Sequence, residues 1–185
     1  NTLFDKNIIT NKQTFQLAVR LMGKERKIPI GTFNLVNAKS NYDIINQIIY
    51  GAPEIKKVRI LEGWNIYQIA DHISKEMNLD RTKIIELCND STFVKSNGVS
   101  GSSLEGYLFP DTYFFYVGDK PASILKHLIK MNESFWTRNH LIQSQKMNLS
   151  KHQIMTLASI IEGEAIYDSE RAKISAVYHN RLNIG

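Results

Sequence analysis

The sequence predicts an α+β fold: small mixed α/β modules first, then a mainly helical region. Three observations lead there. Apolar residues recur at i, i+3, i+4 and i+7 through most of the chain. Short extended patterns, Ile28 to Val36 and the alternating Val58, Ile60 and Glu62, fall between the helical ones in the first half. Gly, Pro, Ser and Asn mark the boundaries.

Thr10-Asn11-Lys12-Gln13 has the shape of a capping box. Phe15, Ala18, Leu21 and Met22 then share one helical face, and Gly23 closes the helix. Ile28 to Val36 reads as a strand, with Pro29 placing its start or an edge there. Asn41 is the expected cap of a helix carrying Tyr42, Ile45, Ile48 and Ile49, which Gly51 ends. A similar unit follows. After the Val58 strand and a turn at Gly63, Asn65 caps a helix with Ile66, Ile69, Ala70, Ile73 and Met77 inward. Asp80 caps a shorter helix burying Ile84, Ile85 and Cys88.

Between Ser96 and Ser103 the composition turns to Ser, Gly and Asn, the expected boundary loop. Three modules result: 1–54, 55–98 and 99–185. The third opens with Leu104 to Phe115, an aromatic segment whose turns Gly106 and Pro110 fix. Pro121 starts a helix with Ile124, Leu125, Leu128, Met131 and Phe135 inward. Ser150-Lys151-His152-Gln153 is a second capping box, before Ile154, Leu157, Ala158 and Ile161. Asp168 is the expected cap of the last helix, with Ile174, Val177, Tyr178 and Leu182.

Of the 185 residues, 43% are hydrophobic, enough for a core and too many for a disordered chain. The single cysteine, Cys88, excludes an internal disulfide and a multi-thiolate zinc site. No run approaches the roughly 18 apolar residues of a membrane span. Lacking an initiator Met, and stopping just after a helical pattern, the chain reads as a piece of something longer. The net charge of +5 suits an anionic partner: nucleic acid, a membrane surface or an acidic polymer.

The most unusual stretch is Ala158-Ser159-Ile160-Ile161-Glu162-Gly163-Glu164-Ala165, an apolar helix running into two carboxylates. At about 100° per residue, Glu162 and Glu164 lie roughly 200° apart, so a continuing helix does not let them share one site. A carboxyl among apolar neighbours is harder to ionise, which suits a general acid. The commoner meaning of such a pattern is a solvated carboxylate at a helix end. Glu105, among aromatics that suit stacking on sugar faces, is a second candidate, although Tyr107, Phe109 and Tyr113 serve equally as core anchors. Arg171 can pair with a carboxylate or an anion, and Asn180, nine residues on, lies near the opposite side of the helix. The five histidines lack ligand spacing, so no metal or other cofactor is expected. Lys56, Lys57 and Arg59 read as an edge-strand device rather than a nucleic-acid site. No nucleic-acid partner is expected.

Three blocks make the sequence specific: Leu104-Glu105-Gly106-Tyr107-Leu108-Phe109-Pro110-Asp111-Thr112-Tyr113, then Leu157-Ala158-Ser159-Ile160-Ile161-Glu162, then Glu170-Arg171 through Asn180-Arg181-Leu182. In order and approximate spacing they resemble the YceG-like (MltG-type) endolytic murein transglycosylases. Leu61-Glu62-Gly63-Trp64-Asn65-Ile66-Tyr67-Gln68-Ile69-Ala70 extends the resemblance, so residues 55–98 resemble the family's LysM-like βααβ unit. The resemblance then makes 99–185 the N-terminal part of a catalytic domain and 1–54 the variable region before it.

The resemblance implies a bacterial enzyme held by one N-terminal membrane helix, absent from this chain, and acting on the outer face of the cytoplasmic membrane. Its substrate would be nascent peptidoglycan strands, and its neighbours the penicillin-binding synthases. It would cut the N-acetylmuramic acid to N-acetylglucosamine bond without water, leave 1,6-anhydro ends, and so terminate or release new strands. Glu162 maps onto the catalytic glutamate, acid first and base second. Glu105, Tyr113, Arg171 and Asn180 map onto motif positions expected to line the cleft and bind substrate. The sequence departs from the family at Gly163, where a lysine is usual, and stops before the family's next segment. The expectation is therefore an incomplete cleft within these 185 residues, with a non-catalytic peptidoglycan-binding fragment as the alternative.

Overall fold

The structure, a computed structural model, describes residues 2–29, 31–35 and 37–184. Its elements in order are α1 (Thr2–Asp5), α2 (Lys12–Leu21), α3 (Asn41–Tyr50), β1 (Ile55–Arg59), α4 (Ile66–Met77), α5 (Arg81–Asn89) and α6 (Ser91–Ser96). β2 (Thr112–Tyr116), α7 (Pro121–Phe135), α8 (Arg138–Lys146), α9 (Lys151–Glu164) and α10 (Asp168–Ile184) follow. β1 and β2 form one two-stranded sheet. The Ile60 amide bonds the Asp111 carbonyl and the Val117 amide the Glu54 carbonyl, so the strands run antiparallel. The fold is α+β, as the sequence predicts.

The chain divides into two compact units: residues 1–56 with 114–119, and residues 57–113 with 120–185. In the first, α2 and α3 bury Ile9, Phe15, Val19, Ile44, Ile45 and Ile48 together. Asn11 caps α2, its Oδ1 accepting from the Gln13 and Thr14 amides at 2.8 and 3.2 Å. The cap of α3 is Ser40, not the expected Asn41. Ser40 holds an extended backbone and exchanges hydrogen bonds with Asp43: its hydroxyl oxygen accepts from the Asp43 amide, and its hydroxyl donates to the Asp43 carboxylate. The strand expected over 28–36 is absent at its described residues, Ile30 and Val36 lying outside them. Pro29 offers no amide hydrogen, and among the described residues the backbone bond to this stretch from elsewhere in the chain is Glu54 N–H to the Thr32 carbonyl. The apolar alternation is nonetheless used, since Phe33 and Leu35 pack on the core while Thr32 and Asn34 are exposed.

The second unit is built on α4, α5 and α7. α4 buries Ile66, Ile69, Ala70, Ile73 and Met77, one stripe at helical spacing. α5 contributes Ile84 and Cys88, and α7 contributes Ile124, Leu125, Leu128 and Ile129. Each fully buried Ile or Leu is worth about 1.5–3 kcal/mol by area. Burial pushes the Cys88 thiol up to about 12, and the Glu105 charge adds to that, so it is an inert core group. α9 and α10 pack on each other more than on this core. Leu157 is the buried residue of α9, and α10 has none. Among the described residues, no helix is long and apolar enough to cross a membrane.

Candidate active site at the α9–α10 hairpin

α9 starts at the expected capping box. Ser150 Oγ accepts from the Gln153 amide at 3.2 Å, and Gln153 Oε1 accepts from the Ser150 amide at 2.8 Å. The helix runs through Gly163 to Glu164 and stops where Ala165 turns extended. α10 begins at Asp168 itself; instead of Asp168 capping it, the Glu170 carboxylate reaches back to the Tyr167 amide at 3.3 Å.

Both carboxylates at the end of α9 meet α10. Arg171 Nη2 lies 3.0 Å from Glu162 Oε1 and 2.9 Å from Oε2, gripping both oxygens, and 3.3 Å from Asp168 Oδ1. Tyr178 donates its hydroxyl to Glu164, and that bond holds the phenol above its ordinary value. Arg171 and Tyr178 are seven residues apart, so both stand on one side of α10 with Ile174 and Ser175 between them. Glu162 and Glu164 thus reach different partners on α10, about two turns apart. The Glu162 side chain is 37% exposed and that of Arg171 47%. At that exposure the pair contributes about 0–1 kcal/mol to stability, so its geometry matters more than its energy.

The other expected site residues lie elsewhere. Asn180 is exposed on α10. Tyr113 is a core residue, 3% exposed. Its hydroxyl donates to the Phe109 carbonyl at 2.6 Å, its ring meets His127 edge-on at 6.0 Å, and burial followed by the Asp111 charge pushes the phenol up to about 12. Glu105 Oε2 accepts from the Ile66 amide at 3.1 Å. Asn65 serves the Tyr67 and Gln68 amides, and Gln68 serves the Asn65 amide, so Glu105 completes the first turn of α4. Gly106 makes the turn after it at φ +79°, a conformation a side chain resists. The structure therefore brings together Glu162 and Arg171 of the five. Beside them lie Asp168, paired with Arg171, and the Glu164–Tyr178 bond, contacts that the sequence does not signal. Among the described residues, no three His, Cys, Asp or Glu side chains cluster to hold a metal ion.

Comparison with known proteins places the chain in a family. The model of the YceG-like family matches residues 1–185. The endolytic murein transglycosylase of Bacillus subtilis (strain 168) is 30% identical over 198 residues, covering 98% of this chain and 54% of that protein. The endolytic murein transglycosylase of Streptococcus pneumoniae serotype 2 (strain D39) is 26% identical over 180 residues, covering 83% of this chain and 32% of that protein. A crystal structure of a YceG-like protein from Listeria monocytogenes matches with a TM-score of 0.63 at 28% identity, over 98% of this chain and 64% of that one. The chain thus spans about half the length of the first relative and a third of the second. With one family model matching from end to end and a solved relative sharing the fold, the chain belongs to the YceG-like family.

Proposed function

We propose that this protein is an endolytic peptidoglycan lytic transglycosylase with Glu162 as acid and then base. The observation that carries the reading is the Glu162–Arg171 pair, one carboxyl gripped through both oxygens at the α9–α10 junction. The names of the Bacillus and Streptococcus relatives support the reaction class. In the protonated state Glu162 gives its proton to the bridging oxygen as the bond from muramic C1 to that oxygen breaks. The carboxylate then takes the proton of the C6 hydroxyl as that oxygen bonds C1. The products are a 1,6-anhydro ring and a free hydroxyl on the leaving sugar. No water is consumed, and Glu162 is protonated again. One carboxyl suffices because the nucleophile belongs to the substrate, unlike the two-carboxylate glycosidases. Arg171 positions the carboxylate and, shared with Asp168, has a second partner when Glu162 takes up its proton.

The same reading makes residues 55–98 a LysM-like glycan-binding module and 99–185 the first part of the catalytic domain. Glu105, Tyr113 and Asn180 support the cleft, Glu105 and Tyr113 by fixing the aromatic segment near the start of the latter module. The protein works at the outer face of the cytoplasmic membrane beside penicillin-binding synthases. The test is mass spectrometry of uncrosslinked glycan strands treated with the 185-residue chain, with a form extended to the length of its relatives, and with Glu162→Gln in each. Anhydro-ended internal fragments that vanish in the Gln variant are the expected result. Reducing ends would make the enzyme a hydrolase. Binding without cleavage by the extended form would leave a peptidoglycan-binding protein.

A further inference from the structure

A second polar site lies at the other end of α9. A cavity of about 540 Å³ opens there, within the size range of small-molecule sites. Ser100, Tyr107, Glu133, Ser150, Lys151 and His152 contribute to its walls. Two cross-links fix those walls. The Tyr107 hydroxyl lies 2.9 Å from His152 Nδ1, and Lys151 Nζ donates to Glu133 Oε2 at 2.8 Å. The imidazole tautomer sets which of the two donates in the Tyr107–His152 contact.

The wall chemistry selects the ligand. The ammonium of Lys151 and the hydroxyls of Ser100 and Ser150 are donors, and Glu133 already answers one of them. Aromatic faces are not on offer: the Tyr107 ring stacks on His152 at 5.9 Å, and Trp136 is buried beneath Lys151. Point donors without a stacking platform suit carboxylates and peptide carbonyls better than a sugar ring. Position adds to this. Lys151 and Glu162 are eleven residues apart on one helix, about 16 Å along the axis and only about 20° around it. Five residues of extended peptide span about 17 Å.

We propose that this cavity binds the acidic peptide branch of the substrate whose sugar backbone lies at Glu162. The inference rests on the function proposed above, because that function supplies a glycan bearing acidic peptides. α9 then acts as a ruler, with the reacting carboxyl at its C-terminal end and the peptide carboxylates held at its N-terminal end.

The test is calorimetric titration of the full chain with a synthetic acidic tetrapeptide carrying two free carboxylates, its fully amidated form, and a tetramer of N-acetylglucosamine. The acidic peptide is expected to bind. Affinity should fall at least tenfold on amidation or in Lys151→Met, recover in Lys151→Arg, and stay unchanged in Glu162→Gln. A melting curve for Lys151→Met checks that the fold survives, as the 38% exposure of that side chain leads one to expect. Absent peptide binding, equal binding of the amidated form, or displacement of the peptide by the sugar tetramer would overturn the inference. Glu162-dependent strand cleavage without peptide binding removes this site and leaves the proposed reaction standing. Lys151-dependent peptide binding without cleavage by any form does the reverse.

Discussion

Replacing Glu105 by Ala separates two roles that the sequence leaves merged. In the structure the Glu105 carboxylate serves the Ile66 amide at 3.1 Å, the one amide in the first turn of α4 that Asn65 and Gln68 leave uncovered. A hydrogen bond to a charged group contributes about 1.5–3 kcal/mol net, and a carboxylate at a helix N-terminus about 0.3–1 kcal/mol. Glu105 is exposed, so the lower ends apply and the loss on truncation to Ala is about 1–2 kcal/mol. In a protein of this size each kcal/mol moves Tm by roughly 2–4 °C, giving a fall of about 2–8 °C. Glu105→Gln keeps the acceptor and loses the charge, so it should fall by less than half of that. Circular dichroism melting reads the global effect, and hydrogen exchange at the Ile66 amide reads the local one. Strand cleavage is run in parallel. A Tm unchanged within about 1 °C, with Ile66 still protected and cleavage lost, would refute the capping argument and put Glu105 in contact with substrate.

Further outcomes follow from the same geometry. Glu162→Gln should lower strand cleavage about 10²–10⁴-fold while stability changes by less than about 1 kcal/mol, read by product mass spectrometry and melting. Arg171→Met should cut the rate less than Glu162→Gln and leave Tm nearly unchanged; a Tm drop as large as that of a core truncation would show the pair to be structural. Tyr113→Phe leaves the Phe109 carbonyl without its donor and should cost about 1 kcal/mol in chemical denaturation. The Tyr113 phenol is raised from 10.0 to about 12, so its neutral form is favoured in the folded state. Its contribution is complete below about pH 10 and is lost as pH rises through about 12, a decline that Tyr113→Phe should flatten. Asn132 is buried on α7 with its amide nitrogen unpartnered among the described residues. Asn132→Leu is expected to raise Tm by a few degrees, and a fall would reveal a bond the amide makes in solution.

The sequence by itself determined most helices and the inward face of α4, whereas Leu21, Tyr42, Phe135 and Leu182, expected inward on other helices, are exposed. The Asn65 and Ser150 capping boxes, Pro121 at the start of α7, and the stripe from Ile66 to Met77 are local patterns, set by hydrogen bonds and periodicity within a few residues. It also identified the family, through motif order and not through physics. It erred where neighbours in space decide. The alternation around Phe33 promises a strand, but strand pairing needs a partner edge, and Pro29 removes a donor from any ladder there. The cap of α3 went to Ser40 because Asp43 could answer it. The candidate site divides in the same way. Glu162 was legible as a carboxyl ending an apolar helix, and Arg171 as a cation on the next one. That they meet, that Tyr178 takes Glu164, and that Glu105 serves a helix 39 residues earlier in the chain were decided by the tertiary structure alone. A carboxylate's partner is set by which helix end passes within about 3 Å of it, and sequence spacing carries no information on contacts between elements whose crossing is fixed by packing.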